Sequence, residues 1–208
     1  MTTEDYRGTP EGLAGALRNH RQIGEPRAFA AMIEALRTLQ DRMTAADPPD
    51  QVADQVARQL TELADRLGAY AVPERQQLAG HISELPGRGQ AMAPVIHIEE
   101  HSEFSARGHV TFGRFYLGGN GAVHGGAIPL AFDELMGRLA NTERSPSRTA
   151  FLHVNYRHIA PVETRLSIEA RFDSESGRKR FLSGRIRDGD TICADAEGLF
   201  VALRPDQA

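Results

Sequence analysis

The sequence predicts an α+β protein: a helical N-terminal stretch, then an antiparallel sheet interrupted by one long helix. Three observations predict it. Up to about residue 72, apolar residues recur at spacings of three and four, the period of an amphipathic helix. From Val95 onward they fall into short alternating or β-branched runs. Between the last of these runs stand Ser174-Glu175-Ser176-Gly177 and Asp188-Gly189, turn sequences that make the flanking strands antiparallel neighbours.

Taken in order, Leu13 and Leu17 mark a short helix before Gly24. A longer one runs from Glu25 to Ala46, with Pro26 in its first turn and Phe29, Met32, Ile33, Leu36, Leu39 and Met43 on one stripe. Asp47-Pro48-Pro49-Asp50 announces the next: Asp47 as N-cap, prolines in the first turn, and a carboxylate favoured by the helix dipole. Val52, Val56, Leu60, Leu63 and Leu67 follow on one face. Residues 1–72 therefore form a helical extension, and 73–94, holding Pro86-Gly87-Arg88-Gly89, a linker. Residues 95–208 form the sheet-and-helix domain. Its strands are expected at 95–98, 108–112, 149–158, 162–173, 178–187 and 190–203, and its helix from Gly125 to Asn141. Alternation in Leu166-Ser167-Ile168-Glu169-Ala170-Arg171-Phe172 fits a sheet covered on one face.

Composition excludes several classes. A net charge of -4 leaves no excess of Lys and Arg to neutralise a nucleic-acid backbone. No apolar run reaches the ~20 residues that span a bilayer, and the polar start MTTEDYRGTP lacks a signal peptide's apolar core. Both helical stripes are backed by mixed Asp, Glu and Arg, which suits packing on protein rather than on lipid. With one cysteine, Cys193, the chain makes no internal disulfide, and a cytoplasmic location is expected.

The chemistry concentrates in Gly118-Gly119-Asn120-Gly121-Ala122-Val123-His124-Gly125-Gly126-Ala127-Ile128-Pro129-Leu130-Ala131-Phe132-Asp133-Glu134. Glycines crowd the start of a helix, where backbone N–H groups lack intrahelical partners and can bind an anion or a developing oxyanion. Gly125 and Gly126 present no side chain to block a substrate carbonyl. Asp133 sits among Leu130, Ala131, Phe132, Leu135 and Met136 on a largely apolar helix. Such a carboxylate is solvated, ion-paired or catalytic. Glu134 is the better candidate for an ion pair, and the residues alone leave Asp133 open among the three.

The segment resembles the helix signature of hotdog-fold acyl-CoA thioesterases, in particular the PaaI-like branch and its thioesterase-superfamily relatives. The matching residues are His124-Gly125-Gly126, Asp133 at its spacing from His124, and Gly137. Thr149-Ala150-Phe151-Leu152-His153-Val154-Asn155-Tyr156-Arg157 resembles the strand after that helix, Pro161 its usual proline, and Ser176-Gly177-Arg178-Lys179-Arg180-Phe181 the turn and strand that contact coenzyme A. The resemblance covers roughly residues 95–204, leaving the N-terminal helices outside.

It implies a hotdog fold and hydrolysis of acyl-CoA without a cofactor or metal. Asp133 would act as general base or nucleophile, Gly125 N–H would polarise the thioester carbonyl, His124 would orient the carbonyl or the loop, and Thr149 would hold the attacking water. Asn120, Gly126, Tyr156, Arg157, Gly177, Arg178 and Lys179 would bind substrate and its coenzyme A portion. Alternation places Arg178 and Arg180 on the face opposite Lys179, so the three cannot serve one ligand. The site would be shared between subunits, Asp133 of one facing His124 and Gly125 of the other, in a homodimer or tetramer. One departure stands out: many relatives carry asparagine six residues before the histidine, where this chain has Gly118, with Asn120 two residues out of register.

Other signals are weaker. His97-Ile98-Glu99-Glu100-His101 matches an inverted zinc-peptidase pattern, but that chemistry needs a helix, and Pro94-Val95-Ile96 starts a strand. The glycine loop lacks the Gly-Lys-Ser/Thr ending of a nucleotide P-loop. His153 on its strand reads as a core or interface histidine, and Cys193 as a small buried residue. Two other functions compete with hydrolysis: a non-catalytic acyl-CoA-binding hotdog protein, and a hotdog acyl-CoA dehydratase or hydratase, which usually needs a histidine poised over the acyl chain.

Overall fold

A computed structural model describes residues 27–82 and 85–204. The expected helix at Leu13 and Leu17, and Pro26, lie outside the described residues. Two N-terminal helices, α1 (Arg27–Ala45) and α2 (Asp50–Gly68), precede eight strands and the long helix α3 (Ala127–Asn141). The strands are β1 (Ile96–His101), β2 (Ser105–Thr111), β3 (Leu117–Gly119), β4 (Ala122–Val123), β5 (Ser147–Tyr156), β6 (Arg165–Ser176), β7 (Lys179–Asp188) and β8 (Thr191–Ala202).

Six strands form one antiparallel sheet in the order β1-β2-β6-β7-β8-β5. Gly177 and Gly189, both with positive φ, make the β6–β7 and β7–β8 turns that the sequence predicted. The sheet wraps α3. Burial alternates along β6 and β7 because one face packs on the helix and the other meets solvent. Ile128, Ala131, Phe132, Leu135, Met136 and Leu139 of α3 bury against Val110, Leu166, Ile168, Leu182, Ile186 and Phe200 of the sheet. At roughly 1.5–3 kcal/mol for each large side chain removed from water, this cluster is the main source of stability.

The connection from helix to sheet edge is tied down by polar groups. Arg180 is 3% exposed and donates to Ala140 O, Ser145 O and Ser145 Oγ, holding the C-terminal end of α3. Asn141 Oδ1 accepts from both the N–H and the hydroxyl of Ser147 at 2.8 Å, which fixes the start of β5. Arg180 thus serves the fold, on the face opposite the exposed Lys179.

The N-terminal helices behave differently from one another. α1 buries Ile33 and packs on the turn before β3. It grips the linker through Arg37, which donates to Ala93 O at 2.9 Å and to Gln90 O. Among the described residues, α2 buries none of its side chains, and Val52, Leu63 and Leu67 remain exposed. Its start corrects the expected cap. Pro49 is the N-cap, with φ -58 and ψ 149 and no side-chain hydrogen bond, and Asp47 lies before it. A residue preceding proline is driven out of the helical region, so Pro48 cannot be helical and the helix begins only after Pro49.

Between Pro73 and Pro94 the chain makes two short 3-10 turns, Glu74–Gln76 and Pro86–Gly89. Arg88, at φ 53, turns from the second to Glu134 on α3. No helix among the described residues is long and apolar enough to cross a membrane.

Candidate active site

α3 begins where the tight β3–β4 turn returns the chain. Asn120 sits exposed at that turn with φ 49, between two glycines of positive φ. Gly118 lies so close to His124 that an added Cβ would stand 2.8 Å from the His124 Cα. An asparagine at position 118 would therefore not fit this turn without displacing the His124 backbone.

At the helix N-terminus, His124 Nδ1 accepts the Gly126 N–H at 3.0 Å, which puts a lone pair on Nδ1. Gly125 O accepts from the Tyr156 hydroxyl at 2.6 Å, which fixes the orientation of the Gly125–Gly126 peptide. Among the described residues nothing accepts the Gly125 N–H, and the glycine is exposed. Its N–H is thus left free as a donor.

About two helical turns on, Asp133 is half-buried, and its Oδ1 accepts the Thr149 hydroxyl at 2.6 Å. Neighbouring Glu134 looks the other way and holds the Arg88 guanidinium through both oxygens, at 2.5 and 2.9 Å. The ion pair expected of Glu134 is therefore present, and Asp133 is bound, among the described residues, by a single hydroxyl. A cleft of about 350 Å³ beside Arg88, Glu134, Ile96 and Arg138 lies on that second flank, away from Thr149.

β5 carries both partners of the candidate groups: Thr149 near its start meets Asp133, and Tyr156 at its end meets Gly125. Within one chain the two half-sites are well apart. From Gly125 to Asp133 the helix rises roughly 12 Å. β5 is an edge strand, so one side of its backbone is unpaired, and Phe151 and Tyr156 are exposed on it.

The remaining sequence candidates fall as follows. Gly177, at φ 60, makes the β6–β7 turn and Lys179 is exposed just after it. Arg178 donates to Ala202 O, and Arg157 is paired with Asp195 at 2.6 Å. That hydrogen bond, together with the one from Asn155, holds the Asp195 carboxyl below its ordinary range. His97 and His101 lie on β1, as expected, and go separate ways: His97 stacks on His109, and His101 meets Thr142 Oγ1. Among the described residues no group of three or more His, Cys, Asp or Glu is placed to hold a metal. Cys193 is buried, which pushes its thiol pKa up. His153 is exposed on β5, beside Asn155. Sequence reasoning missed Asp41, Arg88 and Asn141. None of the three had a sequence signal, since their partners are backbone groups or residues far away in the chain.

A family model for the thioesterase superfamily matches residues 120–194. Acyl-coenzyme A thioesterase THEM4 of Bos taurus is 32% identical over 98 residues, 46% of this chain and 40% of that protein. The Mus musculus THEM4 is 33% identical over 89 residues, 42% of this chain and 38% of that protein. The chain thus spans well under half the length of these relatives. The crystal structure of a thioesterase superfamily protein, 28% identical, superposes with a TM-score of 0.72 over 83% of this chain and 90% of that one. This share exceeds what residues 95–208 alone can supply, so the likeness reaches into the N-terminal region. The helix wrapped in an antiparallel sheet and the superposition agree on a hotdog fold, and within it residues 120–194 are similar to the thioesterase superfamily.

Proposed function

We propose that this protein hydrolyses acyl-CoA thioesters to free acid and coenzyme A, at a site built from two subunits. The observation that carries the reading is the separation of the half-sites along β5. Asp133–Thr149 sits near one end of this free edge strand and Gly125–Tyr156 at the other. If two copies of β5 pair antiparallel about a two-fold axis, Thr149 of one comes opposite Tyr156 of the other. Asp133 of one chain then faces Gly125 and His124 of its partner, as the resemblance implied.

The chemistry follows from the parts. The Gly125 N–H donates to the thioester carbonyl oxygen, whose charge grows as the tetrahedral intermediate forms. Asp133 takes the proton of an attacking water while the Thr149 hydroxyl steadies the carboxylate. The intermediate collapses by breaking the C–S bond, and the thiolate leaves and is protonated. His124, with its Nδ1 occupied by Gly126 N–H, keeps the loop in shape and presents Nε2 to solvent. Direct attack by Asp133 uses the same geometry: the carboxylate expels the thiolate to give an acyl–Asp133 anhydride that water then opens, and label found in Asp133 after a single turnover in ¹⁸O-water would establish that route. Coenzyme A binding is assigned to Asn120, Gly126, Gly177, Arg178 and Lys179, with Lys179 the exposed cation for a phosphate.

The test is thiol release from short, long and aryl acyl-CoAs. Co-expressed Asp133→Ala and Gly125→Pro chains, each inactive alone, should regain up to about half the activity as heterodimers, because one composite site is then intact. No gain in the heterodimers over the single variants would rule out the shared site, and activity in either variant alone would remove that residue from the mechanism. Acyl-CoA binding without thiol release by the natural protein would instead support the binding-protein reading.

A further inference from the structure

We infer that Asp41, on the N-terminal helix α1, is a positioning residue for the loop that carries His124 and Gly125. Asp41 Oδ1 accepts the Phe115 N–H at 2.8 Å. Phe115 is in the 3-10 turn Arg114–Tyr116, and the carbonyl of Tyr116 accepts the His124 N–H at 2.7 Å. His124 in turn accepts from Gly126. Two backbone steps therefore join a helix outside the matched segment to the N-terminus of α3. The turn is held on its far side as well, where the Tyr116 hydroxyl donates to Met92 O at 2.8 Å. One helical turn before Asp41, Arg37 fastens the same helix to Ala93 O. α1 is thus fixed at two points and presses a carboxylate against the back of the candidate oxyanion loop.

Gly113 provides an independent sign that this contact is built. Its φ of -68 is open to any residue, so no backbone strain calls for glycine. What calls for it is space: an added Cβ would lie 2.4 Å from Asp41 Oδ1 and 2.5 Å from Oδ2. The chain leaves out a side chain at Gly113 so that the carboxylate of Asp41 can reach the turn.

The activity arm of the test rests on the thioesterase reading; the exchange arm does not. In the full chain, Asp41→Ala should lower kcat about tenfold with KM within twofold. It should also speed amide exchange across residues 113–126 about tenfold. Asp41→Asn, which keeps an accepting oxygen, should recover most of both. Gly113→Ala should reproduce Asp41→Ala by displacing the carboxylate. The double variant should fall no further than either single change, since the added methyl group fits once the carboxylate is gone. A purely structural contact would lower Tm while leaving kcat per folded molecule and exchange at His124 unchanged, and that result would overturn the inference. Additive losses in the double variant would overturn it too. If the natural protein releases no thiol, the thioesterase reading fails, and the exchange and double-variant results still decide the role of Asp41.

Discussion

Asp133 and Glu134 are neighbours on α3, yet they face different flanks of the helix and meet different chemistry. On the β1 flank, Glu134 is 19% exposed and fully engaged by a two-point Arg88 guanidinium. On the β5 flank, Asp133 receives one hydroxyl and faces the free edge of the sheet. A carboxylate with both oxygens held by a cation is a fastener, because removing its charge leaves a cation unpaired. A carboxylate steadied by one neutral donor keeps lone pairs for a water or a carbonyl carbon. One helix can therefore present a structural acid and a reactive acid at consecutive positions, provided its two flanks are lined differently.

The largest expected effect breaks the comparison if it fails. Asp133→Asn should lower kcat by at least ~100-fold with little change in Tm, since a base is lost and its volume is kept. Steady-state thiol release beside a thermal melt checks both halves, and retained turnover would remove Asp133 from the mechanism. Thr149→Ala should cost about tenfold in kcat, the loss of one hydrogen bond to a charged group. A greater loss than that of Asp133→Asn would invert their roles. On the other flank, Glu134→Gln should leave kcat per folded molecule within about threefold and lower stability by roughly 1 kcal/mol, as a partly exposed pair allows. A kinetic loss matching Asp133→Asn would erase the distinction between the flanks.

This contrast was half legible in the sequence. Spacing and apolar neighbours marked Asp133 as unusual and Glu134 as the ion-pairing residue, because helical period sorts adjacent residues onto different faces. The partner of Glu134 was not legible. Arg88 is far away in sequence and reaches α3 only because a left-handed turn aims it there. The strands and turns of the sheet were readable from alternation and turn residues, within a few positions at their ends. The short β3–β4 pair was not, since two- and three-residue strands carry no period. Alternation put Arg180 on the face opposite Lys179, but period alone does not say which face is the core. The buried side holds Arg180 at the C-terminal end of α3. Asp41 was hidden for a similar reason: its partner is a backbone N–H, which has no signature in sequence.

The smallest effect concerns the far end of β5, beyond the Tyr156 that holds Gly125. Arg157 and Asn155 donate to Asp195 and keep its carboxyl below the usual range. A folded-state pKa depressed in this way adds stability that is present above the unfolded value and lost as pH falls through the folded one. Arg157→Gln should therefore lower Tm slightly at pH 7, and the gap from the natural protein should close below about pH 4, where unfolded aspartates are protonated. Because the pair is partly exposed, the gap should also shrink in high salt. If Arg157 instead contacts coenzyme A, as the resemblance implied, the same variant will raise KM at neutral pH. An unchanged KM together with a Tm gap that closes in acid and in salt makes Arg157 a fastener like Arg88, and leaves coenzyme A to Lys179 and the β6–β7 turn.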